Sequence, residues 1–412
     1  MKHALTLAAA LLCLLPATLP ADEIFVVNSA SRTLSRIDTA AGTVNNSFAQ
    51  LGLTPNLMDM DGDYIYIACS GDNAVQVIDR VSGAHIRYIP VAPSSNPYDV
   101  LKAGDYLYVT GLFTNKVYKI SLLSNSVVGA LDVGTSPEGL CSDGQHLYVC
   151  NTGGYANNYA NSSVSVIELD SFTLEDTVPV ASNPQYIVIH GNQLNVSCTG
   201  NWADVSGKVD ILDLDTLELV QRLDIGGHPG SLWISDAGMA YLGEGMGTAL
   251  YSYNADTYEI YHGAAAPLDY PATLVSGNSS LIALLQQNWS SNSLVYLYNL
   301  DFSPLGIYTV RLSSSDIIVA QSNSSAAEDT VEPVEPRLWP NPLRKGESLN
   351  ISTGRQEDLE LSIYNLRGQL LAKQRVVQGK ACFTPDGLAS GVYLYRIGRD
   401  GSQSTGKLMI LD

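Results

Sequence analysis

The chain has 412 residues, with 22 Lys and Arg against 41 Asp and Glu and a formal net charge of −19. A surface this acidic repels phosphate backbones and anionic headgroups, which excludes nucleic acid and anionic membrane surfaces as partners. The length suits two domains.

The N-terminal segment 1–21 carries Lys2, an apolar run from Leu5 to Leu15, and Leu19-Pro20-Ala21 ahead of Asp22. A basic start, an apolar middle and a small-residue end predict a signal peptide, too short to span a bilayer. Cys13 lies within the apolar run and away from the cleavage site, which argues against a lipoprotein. No later stretch is long and apolar enough to predict a membrane span. Removal of the segment leaves an odd set, Cys69, Cys141, Cys150, Cys198 and Cys382, which cannot all pair within one chain. Cys141 and Cys150 flank the Asp143-Gly144 turn. A cross-strand disulfide and two small buried thiols are both open there.

Residues 22–321 are built on a unit of about 40 residues. Each unit has a proline (Pro55, Pro97, Pro137, Pro184, Pro229, Pro271), then a short apolar run and a tight Gly/Asp/Asn turn. A strand such as Tyr106-Leu107-Tyr108-Val109 follows, then a polar loop, a third strand such as Lys116–Ile120, and an outer strand such as Val127–Leu131. Short strands at this period predict a β-propeller. Inner strands are expected at about 56–60, 98–102, 138–141, 185–189, 230–234, 272–275 and 316–320, which makes seven blades. The chain enters on a second strand, Ile24–Val27, and leaves on an inner one, Asp316–Ala320. The last strand is therefore expected to complete the first blade and remove the open edges.

The runs Tyr64-Ile65-Tyr66-Ile67-Ala68, Tyr106-Leu107-Tyr108-Val109-Thr110 and His146-Leu147-Tyr148-Val149-Cys150 resemble the YVTN/NHL-like seven-bladed propellers of bacteria. So do third strands such as Ala74–Asp79 and Ser163–Ile167. The resemblance implies the fold and leaves function open.

Residues 322–336, rich in Ser, Ala, Glu and Pro, predict a disordered linker. Beyond it, residues 337–412 alternate short strands and Gly-rich turns, which predicts a small immunoglobulin-like β-sandwich. Trp339-Pro340-Asn341-Pro342, Ile363–Gly368, Gly391-Val392-Tyr393 and Gly406–Leu411 resemble the C-terminal sorting domain of type IX (Por) secretion. That resemblance implies a secreted or cell-surface protein and a secretion machinery that reads residues 337–412.

The face carrying the inner-strand starts and the second-to-third-strand loops is the expected binding surface. The loops 151–162 and 199–207 exceed the repeat minimum, so packing does not account for their length. Aromatics mixed with amides suit a glycan, peptide or protein ligand. The expected ligand-binding residues are Tyr98, Glu138, Tyr155, Tyr159, Gln185, Trp202, His228, Gln287, Asn288 and Trp289. An alternative is metal-assisted lyase or hydrolase chemistry by Glu138, His228 and Asp316. A structural, surface-assembly role is a third reading. No cofactor motif is present. Asp38, Asp79, Asp170, Asp215, Asp256 and Asp301 recur at third-strand ends and are read as turn caps rather than calcium ligands.

Overall fold

Strands of about six residues joined by tight turns can reach only their sequence neighbours, so antiparallel meanders are the natural product. The computed structural model describes residues 22–321. In the C-terminal part it describes residues 337–339, 341–345, 347–352, 359–365, 369–376, 380–384, 387–399 and 402–411. The expected signal peptide (1–21) and linker (322–336) lie outside the described residues. The chain divides into two compact units, Met1–Ser324 and Ser325–Asp412.

The first unit is all-β and propeller-like. Among the described residues it holds seven four-stranded antiparallel sheets. Six are consecutive meanders beginning at Pro55–Met60, Pro97–Ala103, Pro137–Ser142, Pro184–His190, Pro229–Ile234 and Leu274–Gly277. The remaining sheet joins the two ends of the unit. Ser314–Gln321 pairs antiparallel with Asp22–Asn28, with Phe25 opposite Ile318, and Thr33–Asp38 and Thr43–Gln50 complete it. The first strands of successive sheets lie side by side, and Ser314–Gln321 lies between the first strands of the neighbouring sheets, closing a ring. The last of the proline-led strands starts later than its sequence suggests. Ala272 and Thr273 send their N–H groups to Thr248 and Leu285 carbonyls, and regular pairing begins at Leu274.

The second strands of the sheets are buried on both faces, which explains their nearly continuous apolar sequence, whereas outer strands such as Thr173–Pro179 are largely exposed. Successive side chains of Asp22–Asn28 point to opposite neighbours. Ile24 and Val26 pack with Leu281, Ala283 and Leu285 of the preceding sheet, and Phe25 and Val27 pack with Ile65 and Ile67 of the next. The same division recurs around the ring, with Tyr66 and Ala68 against Leu107 and Val109, and Tyr148 and Cys150 against Leu194 and Val196. Each such side chain contributes roughly 1.5–3 kcal/mol by leaving water.

The inner strands are also stapled to one another. Asp316 accepts the Met58 N–H at 2.8 Å, Asp59 the Lys102 N–H at 2.6 Å, and Asp99 the Leu140 N–H at 3.0 Å. Each of these carboxylates takes a second N–H from the residue that follows it. Farther round, the Ser231 and Ser276 hydroxyls accept from Val275 and Val319 at 2.8 and 3.0 Å. At Gly139 a Cβ would meet the Gln185 carbonyl oxygen at 2.4 Å, so only glycine lets those two strands approach.

The cross-strand Cys141–Cys150 bridge does not form. Cys69, Cys141, Cys150 and Cys198 are free, and Cys141 stands opposite Tyr148 rather than Cys150. Cys150 stands two residues along from Cys141's partner and packs in the core with Cys198. The turn caps also differ from expectation in part. Asp38, Asp79 and Asp301 accept turn N–H groups. In three sheets the cap sits two residues earlier, at Glu168, Asp213 and Asn254; Asp170, Asp215 and Asp256 give it their N–H, while the carboxylates of Asp215 and Asp256 engage Asn192 and His190.

The second unit has a three-stranded sheet (Arg337–Trp339, Leu349–Ser352, Lys380–Phe383) and a five-stranded one. In the latter Ser402–Leu411 lies between Leu343–Arg344 and Gly391–Arg399, with Leu359–Tyr364 and Leu370–Val376 beyond. Leu349 and Ile351 from one sheet and Leu361, Ile363, Ile397, Leu408 and Ile410 from the other share one core. Asn341 clamps the final strand, donating to the Lys407 carbonyl at 2.8 Å and accepting the Met409 N–H at 3.0 Å.

Candidate functional site

Loops between second and third strands, and the starts of the inner strands, converge on one mouth of the ring. A cavity of about 220 Å³ opens there. Its walls come from five sheets and include Tyr98, Gln185, Tyr186, Trp202, Gly230, Ser231, Gly245, Met246, Thr273, Leu274, Gln287, Trp289, Ser314 and Ser315. Glycine is needed at the floor. A Cβ on Gly245 would come within 3.1 Å of the Trp202 ring, and one on Gly230 within 3.0 Å of the Gly245 backbone.

Five of the ten residues expected from sequence line this cavity: Tyr98, Gln185, Trp202, Gln287 and Trp289. Glu138 lies just behind them and receives hydrogen bonds from Tyr98 and Gln185. The Gln185 carbonyl oxygen is held by the Thr199 hydroxyl at 2.8 Å, which turns its amide N–H₂ toward Glu138. The long loop 199–207 places Trp202 by a backbone turn at φ 63. Its indole N–H donates to the Tyr159 hydroxyl, and its ring lies 5.0 Å from that of His228. Tyr155 meets Tyr159 edge-on at 6.2 Å, and Asn201 donates to Asn158 at 3.2 Å, so the two long loops brace each other.

Asn288 is placed otherwise. Its side-chain oxygen accepts the Ser290 and Ser291 N–H groups at 3.0 and 3.1 Å, which shapes the turn that presents Trp289. His228 is turned to the Thr199 carbonyl at 3.1 Å. Asp316 commits both oxygens to backbone N–H groups, as described above. Among the described residues no hydrogen bond or ion pair joins Glu138, His228 and Asp316, and no group of three His, Cys, Asp or Glu side chains is arranged to hold a metal ion.

The rim is apolar and exposed. Tyr155 is 79% exposed, Phe113 70%, Met246 70% and Trp289 64%. Sequence reasoning missed Tyr186, Ser231, Thr273 and Met246. The first three stand two residues after a proline (Pro184, Pro229, Pro271), and reading only the first position after each proline overlooked them.

Carboxylates behind the cavity are pushed up. Burial raises Glu138 to about 8, with Gln185 and Tyr98 pulling the other way. Burial raises Asp316 to about 7 against the pull of two N–H donors, and holds Asp99 well above the usual range, with the Asp316 charge adding to it. Tyr98 is raised by the Glu138 charge and by burial.

Residues 337–411 match the family described as "Secretion system C-terminal sorting domain". The protein is secreted or displayed at the cell surface. The sorting domain indicates export by type IX secretion and contact with that machinery. No helix among the described residues is long and apolar enough to cross a membrane. No curated protein matches the chain.

Two solved structures are similar to the first unit in fold. A functionally unknown protein from Desulfotomaculum acetoxidans DSM 771 is 14% identical with a TM-score of 0.54, over 71% of this chain and 100% of that one. Dihydro-heme d1 dehydrogenase NirN in complex with DHE is 14% identical with a TM-score of 0.52, over 74% of this chain and 78% of that one. Identities this low carry the fold alone.

Proposed function

We propose that the protein is an exported seven-bladed β-propeller of YVTN/NHL-like type whose loop face binds a glycan, peptide or protein without transforming it. The seven sheets are its blades. The module at 337–412, immunoglobulin-like in its two packed sheets, serves export and takes no part in binding. The observation that carries the reading is the cavity at the ring mouth, where Trp202, Trp289, Tyr98 and Tyr186 surround Gln185 and Gln287. Large aromatic faces beside amides give stacking area and directional bonds together. An exposed Trp is an energetic burden that a ligand relieves, and Trp289 is 64% exposed.

The test is a binding panel of glycans and unrelated peptides, run on the full chain and on Trp289→Ala. Saturable binding lost in Trp289→Ala supports the reading. Binding unaffected by that change places recognition elsewhere, and self-association with no ligand favours a structural role.

A further inference from the structure

If the cavity is a recognition site, as proposed above, its chemistry narrows what enters. Tyr98, Tyr186, Trp202 and Trp289 wall it, and no Lys, Arg, Asp or Glu is among its lining residues. Directly behind stands Glu138, with two neutral donors fixed on its carboxyl group and a buried Oε2 that has no partner. Tyr186 lies in the combined field of Asp316, Asp99 and Glu138. The titratable groups facing Glu138 are Tyr98, Tyr159, Tyr186 and Cys150, and none can carry positive charge. Among the inner-strand carboxylates, Asp59 has a cation acting on it, Lys102. The site therefore has aromatic walls and, behind them, buried carboxyl groups that ionise readily only when a positive charge compensates them.

We infer that the cavity takes an alkylammonium group, protonated or quaternary. The electron-rich ring faces attract a cation, and more strongly when it is shielded from water. Glu138, hydrogen-bonded to the wall residues Tyr98 and Gln185, adds Coulomb attraction once it ionises. An anionic ligand finds no cation in the lining to pair with, and a neutral one leaves Glu138 Oε2 uncompensated. A lysine side chain, an amino sugar and a choline-like headgroup share this chemistry.

Binding should be coupled to protons. In the free protein, burial keeps Glu138 mostly protonated and Asp316 about half protonated near neutrality. A ligand cation favours their ionised forms, so a proton leaves as the ligand enters.

The experiment is isothermal titration of the full chain with choline, its neutral carbon isostere 3,3-dimethylbutanol, and methyl glucoside, at about pH 6 and about pH 8. Choline should bind tighter at the higher pH, by up to about fiftyfold if Glu138 alone releases its proton, and the isostere at least about tenfold more weakly than choline. Glu138→Gln should flatten the pH dependence, and Trp289→Ala should weaken binding at both pH values. Glucosamine and a lysine-containing peptide, run beside choline, separate the sources of the ammonium group by rank of affinity. Should Glu138→Gln fail to fold, the wild-type profile decides alone, because a flat profile contradicts the inference. Equal binding of choline and its isostere, or tighter binding of methyl glucoside, overturns the inference and leaves the recognition reading standing if Trp289→Ala abolishes it. Absence of binding by every probe overturns both.

Discussion

Asp316 shows how much a single side chain does at the ring centre. Its two oxygens hold the Met58 and Ile317 N–H groups, one in the next sheet and one in its own, both at 2.8 Å. Asp316→Ala leaves two inner-strand donors without an acceptor, at about 1–3 kcal/mol each. Thermal unfolding of this variant should show a clear loss of Tm. The same residues give an unusual pH dependence. Glu138 and Asp316 have folded-state values near 8 and 7, and Asp59 and Asp99 are raised as well. Unfolding returns these groups to about 4, so between that pH and the folded values the folded protein holds more protons. Their contribution to stability is complete below about pH 4 and is lost as pH rises through 7 and 8. Tm measured at about pH 8.5 should lie below that at about pH 6, and Glu138→Gln should shrink the difference. An equal fall in the variant would assign the effect to other groups.

At the scale of strands, closure and close approach dominate. Gly139 sits where a Cβ would strike the Gln185 carbonyl oxygen at 2.4 Å. Gly139→Ala must push two inner strands apart, at a cost of about 1–3 kcal/mol, and a denaturation midpoint checks it. Deleting residues 314–321 strips Asp22–Asn28 of the partner on its inner edge. The exposed edge should pair between chains, and size-exclusion chromatography should show aggregate in place of monomer. The sheets themselves are legible in the sequence because the Xaa-Pro step and the Gly/Asp/Asn turn punctuate each meander. Pro97–Ala103, Tyr106–Gly111, Lys116–Ser121 and Ser126–Asp132 fall close to their expected positions. What was hidden was register. The pairing of Cys141 with Tyr148, and the shift of the turn cap from Asp170 to Glu168, depend on offsets of one or two residues that composition does not encode. The candidate site was half visible for the same reason. Large side chains in loops, Trp202 and Trp289, stand out in sequence. Ser231 and Thr273 enter the cavity only because the ring brings distant strands together.

For the whole molecule, two units divide two tasks. The C-terminal module carries the export address, and Asn341, from the Trp-Pro-Asn-Pro segment, locks its final strand through Lys407 and Met409. Removal of 337–412 in the native host should leave the first unit folded and inside the cell envelope, whereas the full chain reaches the exterior. Fractionation and immunoblotting read this directly, and export of the truncated chain would place the address elsewhere. The proposed recognition surface lies on the first unit, at the mouth of its ring of inner strands. The most direct test of that claim is intrinsic tryptophan fluorescence of the full chain, titrated with glycans, peptides and choline beside Trp289→Ala. Both Trp202 and Trp289 line the cavity, so the account predicts a saturable shift with one ligand class that is diminished in the variant. No shift across the panel, or one that Trp289→Ala leaves intact, would contradict it.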